Sequence, residues 1–187
     1  MQVKTFLIAL AVILLHGCST EDVVWGNKPF VEMEQETIVI SEQVELCKSK
    51  PDSIFCKTAP TIGDIKPTLD YTLEILKEMN NNFTYTADDT WHYNDNVYEY
   101  LKGDCEDIAS TMAMQFYNDG VDTQHLYLVY RRISDTEAHL FLAVDTVDGG
   151  LRHLDYANSG YPIEENINYY MALDNAGINK WIKGNIR

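Results

Sequence analysis

Apolar and polar positions along the chain change their period several times, and those changes predict the elements. Leu69, Leu73, Leu76 and Met79, with Ile75 beside them, recur at three- and four-residue steps. With Pro67 suited to a first turn, they predict a helix from Lys66-Pro67 to the stop at Asn80-Asn81-Asn82. Cys105, Ile108, Met112 and Phe116 repeat the pattern and predict a second helix from Gly103 to about Asn118, ended by Gly120. Strand-like runs follow at 126–133, 137–145 and 151–156, the last two joined through Asp148-Gly149-Gly150 as a hairpin. Two helices followed by an antiparallel meander predict an α+β fold. Upstream, Gly26, Pro29, Pro51 and Pro60 break up any period, so 18–60 reads as a tether and irregular region, with a short strand over 37–44. The domain proper is then 61–187, a size suited to one core.

Residues 1–17 differ from everything after them. Lys4 precedes an apolar run from Phe6 to Leu15, and small residues follow, which describes a secretory signal too short to span a membrane once mature. Leu15-His16-Gly17-Cys18 resembles the lipobox of bacterial lipoproteins, in which the cysteine becomes the first mature residue and carries the lipid. That resemblance implies lipidation at Cys18, and Ser19 after it implies the outer membrane of a bacterial cell envelope, with the body facing the periplasm. Ordinary signal cleavage nearby is the alternative; either way the protein is exported.

Composition narrows the class. At 45% hydrophobic and 11% aromatic residues, the chain fills a core. Its 29 acidic against 14 basic residues, a formal charge of −15, argue against a nucleic-acid partner, whose phosphates require Lys and Arg. Export gives meaning to the cysteines: Cys47 and Cys56 lie in one polar stretch and are expected to form a short-loop disulfide. Cys105 is left without a thiol partner. No P-loop, HExxH, GxSxG or CxxC motif is present, and no organic cofactor is expected.

A thiol at a helix N-terminus meets unpaired backbone N–H groups and the positive end of the helix dipole, both of which favour thiolate. Such a cysteine needs a base, and the base an orienter. Past the signal the histidines are His92, His125, His139 and His153. Strand alternation puts His139, Phe141 and Ala143 on one face and Leu140, Leu142 and Val144 on the other. Whether Asp155 meets His139 depends on the hairpin. A two-residue Asp148-Gly149 loop sets Asp155 against Leu142, pointing away. A three-residue Val147-Asp148-Gly149 loop, with Gly149 as the left-handed residue, sets it opposite Phe141 on the His139 face. His153 shares that face and is a rival base. His92 and His125 read as exposed, and Trp91 as core or cleft wall.

The run Gly103-Asp104-Cys105-Glu106-Asp107-Ile108-Ala109, followed by Ala138-His139-Leu140 and Leu154-Asp155, resembles the bacterial transglutaminase-like cysteine proteinases. The best-known type is the LapG-type periplasmic protease, which clips large surface adhesins. The likeness covers roughly 68–160, with Tyr156 where the family usually has Asn. It implies a papain-like/transglutaminase-like core and makes Cys105 the nucleophile, His139 the general base and acid, and Asp155 the orienter. It also implies a protein substrate, a regulatory protein partner, and calcium held by Asp104 and Glu106. Three carboxylates around Cys105 oppose a thiolate, and a hard cation would neutralise them. Asp88, Asp89 and Asp95 are further candidate ligands. Two alternatives stay open: a transamidase or amidase using the same residues, and a weakly catalytic binding lipoprotein.

Overall fold

The computed structural model describes residues 31–60, 63, 65–87, 91, 101–135, 137–156 and 167–185. The signal segment, Cys18, Asp88, Asp89, His92 and Asp95 lie outside the described residues.

The fold is α+β: the described residues form three α-helices and a six-stranded sheet, with a two-stranded pair beside them. Chain order is β1 (Val31–Ile38), α1 (Ser41–Ser49), α2 (Leu69–Asn82), β2 (Thr84–Tyr85), β3 (Lys102–Gly103), α3 (Cys105–Asn118), β4 (Leu126–Arg132), β5 (Ala138–Thr146), β6 (Gly150–Leu154), β7 (Ile167–Ala172) and β8 (Trp181–Asn185). The large sheet runs β1-β8-β7-β4-β5-β6, and every described pairing within it is antiparallel.

The two periodic helices form where their patterns place them. Thr68 caps α2 by accepting a hydrogen bond from the Tyr71 backbone N–H at 3.3 Å. Its buried stripe is Thr72, Ile75 and Met79, which corrects the expected apolar face: Leu73 is 48% exposed. In α3, Ile108, Met112 and Phe116 are buried together with Ala109 and Ala113, whose small side chains let the helix lie close to the sheet. Opposite them are Leu126, Leu128, Leu140, Leu142, Val144 and Leu154, all essentially without solvent contact. Burial of each such leucine contributes roughly 1.5–3 kcal/mol.

Upstream, the expectation of an irregular stretch is corrected. Strand β1 joins the main sheet, and Ser41–Val44, expected as strand, opens a helix. Apolar period is weak in α1, which buries only Gln43 and Leu46. It is anchored instead by polar contacts: the Trp181 indole N–H donates to Gln43 Oε1 at 2.7 Å, and Gln43 donates to the Phe55 carbonyl. Cys47 and Cys56 are joined in a disulfide with Cα atoms 5.3 Å apart, which ties the helix to the segment after it.

Candidate active site

Cys105 opens α3, and the chain reaches it under tight constraint. The pair β2–β3 sets Tyr85 beside Gly103. Gly103 has φ +154°, and a Cβ there would lie 2.0 Å from Asp107 Oδ2, so only glycine fits. Asp107 uses that closeness to accept from the Asp104 backbone N–H at 3.3 Å, which pins the first turn. Cys105 is thereby held at the helix start, half-buried, among acids that are nearly fully buried: Asp104 is 7% and Glu106 3% exposed.

The hairpin register selects one of the two alternatives. Thr146 pairs with Gly150 and Leu142 with Leu154, so 147–149 is a three-residue loop and Asp155 falls on the His139 face. The left-handed glycine is Gly150, at φ +64°, rather than Gly149. Asp155 Oδ1 lies 2.7 Å from His139 Nε2. This leaves Nδ1 as the ring nitrogen available to a reacting group. A small cavity brings Cys105, His139 and Asp155 together, walled by Ile108, Met112 and Tyr156.

His153 shares the face but stands in a different environment. Its ring meets Phe141 edge-on at 5.0 Å, and burial, then the Arg131 charge, push its pKa down to about 4. It does not line the Cys105 cavity. His125, expected to be exposed, is half-buried with Nδ1 3.4 Å from Asp145. Trp91 packs on Phe55 at 5.2 Å and lines the groove beside Cys105.

Arg131 was not singled out from sequence, although strand alternation through Tyr127, Val129 and Arg131 was the available signal. It pairs across the sheet with His139, is 2% exposed, donates from Nε to Asn168 Oδ1 at 3.0 Å and lies over the Phe141 ring at 4.7 Å. Phe141 also stacks on His139 at 5.7 Å. Tyr156, the departure from the family pattern, donates to the Phe83 carbonyl at 3.2 Å and stacks on Tyr85, closing that side of the cavity.

Electrostatics around the sulfur oppose its ionisation. Burial raises the Cys105 thiol to about 12; the Leu140 backbone N–H pulls it down, and Glu106 and Asp104 push it up again. Glu106 is itself raised above the usual carboxylate range, by burial first and then by its neighbour Asp104. Donor atoms of Asp104, Cys105 and Glu106 lie within 4.8 Å of one another. The carboxylate oxygens suit a hard cation such as calcium, with further oxygens required from water or backbone.

A family model described as bacterial transglutaminase-like cysteine proteinase matches residues 42–182, which includes Cys105, His139 and Asp155. No curated protein matches the chain.

Proposed function

This chain belongs to the bacterial transglutaminase-like cysteine proteinases, and from that premise we propose that it cleaves a protein substrate with Cys105 as nucleophile, His139 as base and acid, and Asp155 as orienter. The observation that carries this reading is the 2.7 Å His139–Asp155 contact in a cavity also walled by Cys105. His139, held through Nε2, takes the thiol proton at Nδ1. The sulfur attacks the peptide carbonyl carbon, and backbone N–H groups at the start of α3 receive the oxyanion. His139 then returns the proton to the leaving amine. Water, deprotonated by the same ring, releases the acid from the thioester. Asp155 stays ionised and stabilises the imidazolium.

Asp104 and Glu106 would hold calcium in this reading. When bound, the ion supplies positive charge beside the sulfur and offsets the carboxylates that oppose the thiolate. Export behind a signal segment, a lipid at Cys18 in the outer membrane, and a surface protein such as an adhesin as substrate complete the proposal.

Iodoacetamide labelling of the purified protein tests the nucleophile. We expect fast, pH-dependent labelling at Cys105 that His139→Ala removes; a rate no faster than for an unfolded thiol would sink the assignment. Calcium is expected to raise both the labelling rate and the melting temperature, with Asp104→Asn/Glu106→Gln insensitive to it. Equal melting curves in calcium and in chelator would remove the ion. Mapping new termini in envelope extracts treated with wild type or Cys105→Ser would identify the substrate.

A further inference from the structure

Beside Cys105 opens a groove of about 540 Å³, far larger than the cavity shared with His139. One wall is the corner between β1 and α1, from Ile38 to Glu42; the other is the β4–β5 hairpin at Arg132, Asp135 and Glu137. Tyr130 and Tyr169 line it between those walls, and Asp104, Cys105 and Glu106 reach it from the start of α3. The first wall is held in place, because the next residue, Gln43, is buried against Trp181 and Phe55, and α1 is tied down by the Cys47–Cys56 disulfide.

The charge of this groove is one-sided. Arg132 is the lone cation among the described lining residues, and its guanidinium is 3.4 Å from Asp135. Glu42 and Glu137, both exposed, flank the aromatic floor from opposite walls. The Glu42 charge is felt there: burial first, then Glu42, push the Tyr130 hydroxyl upward. Cys105 lines this open groove, so the groove offers a path for the polypeptide on one side of a bond whose carbonyl reaches the sulfur. Lysine or arginine stems cover tyrosine rings while their heads reach carboxylates at the rim. A glutamate at the same place meets like charge over a poorly solvated floor.

We propose that the groove between the β1–α1 corner and the β4–β5 hairpin takes a lysine- or arginine-bearing stretch of the substrate next to the scissile bond, with Glu42 and Glu137 setting that preference. The proposal rests on the reading of Cys105 as the nucleophile of a proteinase, and it adds the chemical class of the neighbouring substrate segment.

The test uses two fluorescein-labelled twelve-residue peptides of Gly, Ser, Ala and Leu, one carrying three lysines and the other three glutamates. Binding to the Cys105→Ala chain is read by anisotropy. The lysine peptide should bind about tenfold tighter, a preference reduced by added salt. Glu42→Lys/Glu137→Lys should abolish it, and Glu42→Gln/Glu137→Gln should give an intermediate value. Because the whole chain carries −15, the control is Glu74→Lys/Glu78→Lys on the exposed side of α2, which changes net charge equally and should leave the preference intact. Equal affinities for the two peptides, or equal loss in both lysine-substituted pairs, would overturn the groove assignment. Incubation with the wild-type chain separates the two readings. Preferential binding without cleavage keeps the groove and counts against the roles given to Cys105 and His139. Cleavage of both peptides at one rate keeps those roles and removes the groove preference.

Discussion

The two faces of strand β5 have the same backbone and opposite characters. Toward α3 it presents Leu140, Leu142 and Val144 to a hydrocarbon layer that any well-packed α+β domain would recognise. On the other side His139, Phe141 and Ala143 meet a mixed layer that includes Arg131, His153, Asp155 and Asn168. On the first face shape complementarity is the whole of the interaction. On the second, each polar group needs a named partner, because an unpaired buried one costs more than a lost apolar contact. The first face therefore sets how stable the domain is, and the second sets what it does.

Substitutions should separate the two faces cleanly. The largest expected effect is on activity: His139→Ala should lower kcat/KM by about 10³-fold or more while the unfolding midpoint in denaturant stays near wild type. A stability loss of comparable free energy would make this face structural after all. Leu142→Ala, on the opposite face of the same strand, should cost about 3–5 kcal/mol in equilibrium unfolding, with unchanged kcat for the molecules that remain folded. Joint replacement of Cys47 and Cys56 by serine should cost about 2–3 kcal/mol and weaken peptide binding in the groove more than it slows labelling of Cys105.

The smallest effect sharpens the contrast by pH. Burial first, then the Arg131 charge, push His153 down to about 4 in the folded chain, against an ordinary value near 6.5 when unfolded. Between those values the unfolded chain binds the extra proton, so stability is lost as pH falls through that window. The loss should reach about 2 kcal/mol at pH 5. In His153→Leu, unfolding measured at pH 7 and pH 5 should lack that contribution, and a slope identical to wild type would show that His153 does not carry it.

The parts of the molecule legible in the sequence were those where one period ran unbroken. α3 and the β4–β6 meander follow from the spacing of Ile108, Met112 and Phe116 and from strand alternation. Cys105 is singled out by its place at a helix start. Asp155 required more, since two hairpin registers put it on opposite faces and the turn decides between them. What escaped had no period to read. α1 buries a glutamine, and its stability comes from Trp181, more than a hundred residues away. β7 and β8 carry short mixed patterns, INYYMA and WIKGN, whose strand character comes from their neighbours in the sheet. Leu73, apolar and in register with the helix, is exposed because Thr72 takes the buried position beside it.

Strand order gives the domain a mechanical polarity. β1, the first described strand, is one edge of the sheet, and β8, β7 and β4 stand between it and β5. A pull on the chain ahead of Val31 would be borne first by the β1–β8 pairing and by the corner that follows β1. That corner is a wall of the groove, whereas the His139–Asp155 contact sits near the opposite edge. Tension applied from the N-terminal side would thus deform the surface that grips a peptide well before it reached the residues that cut one.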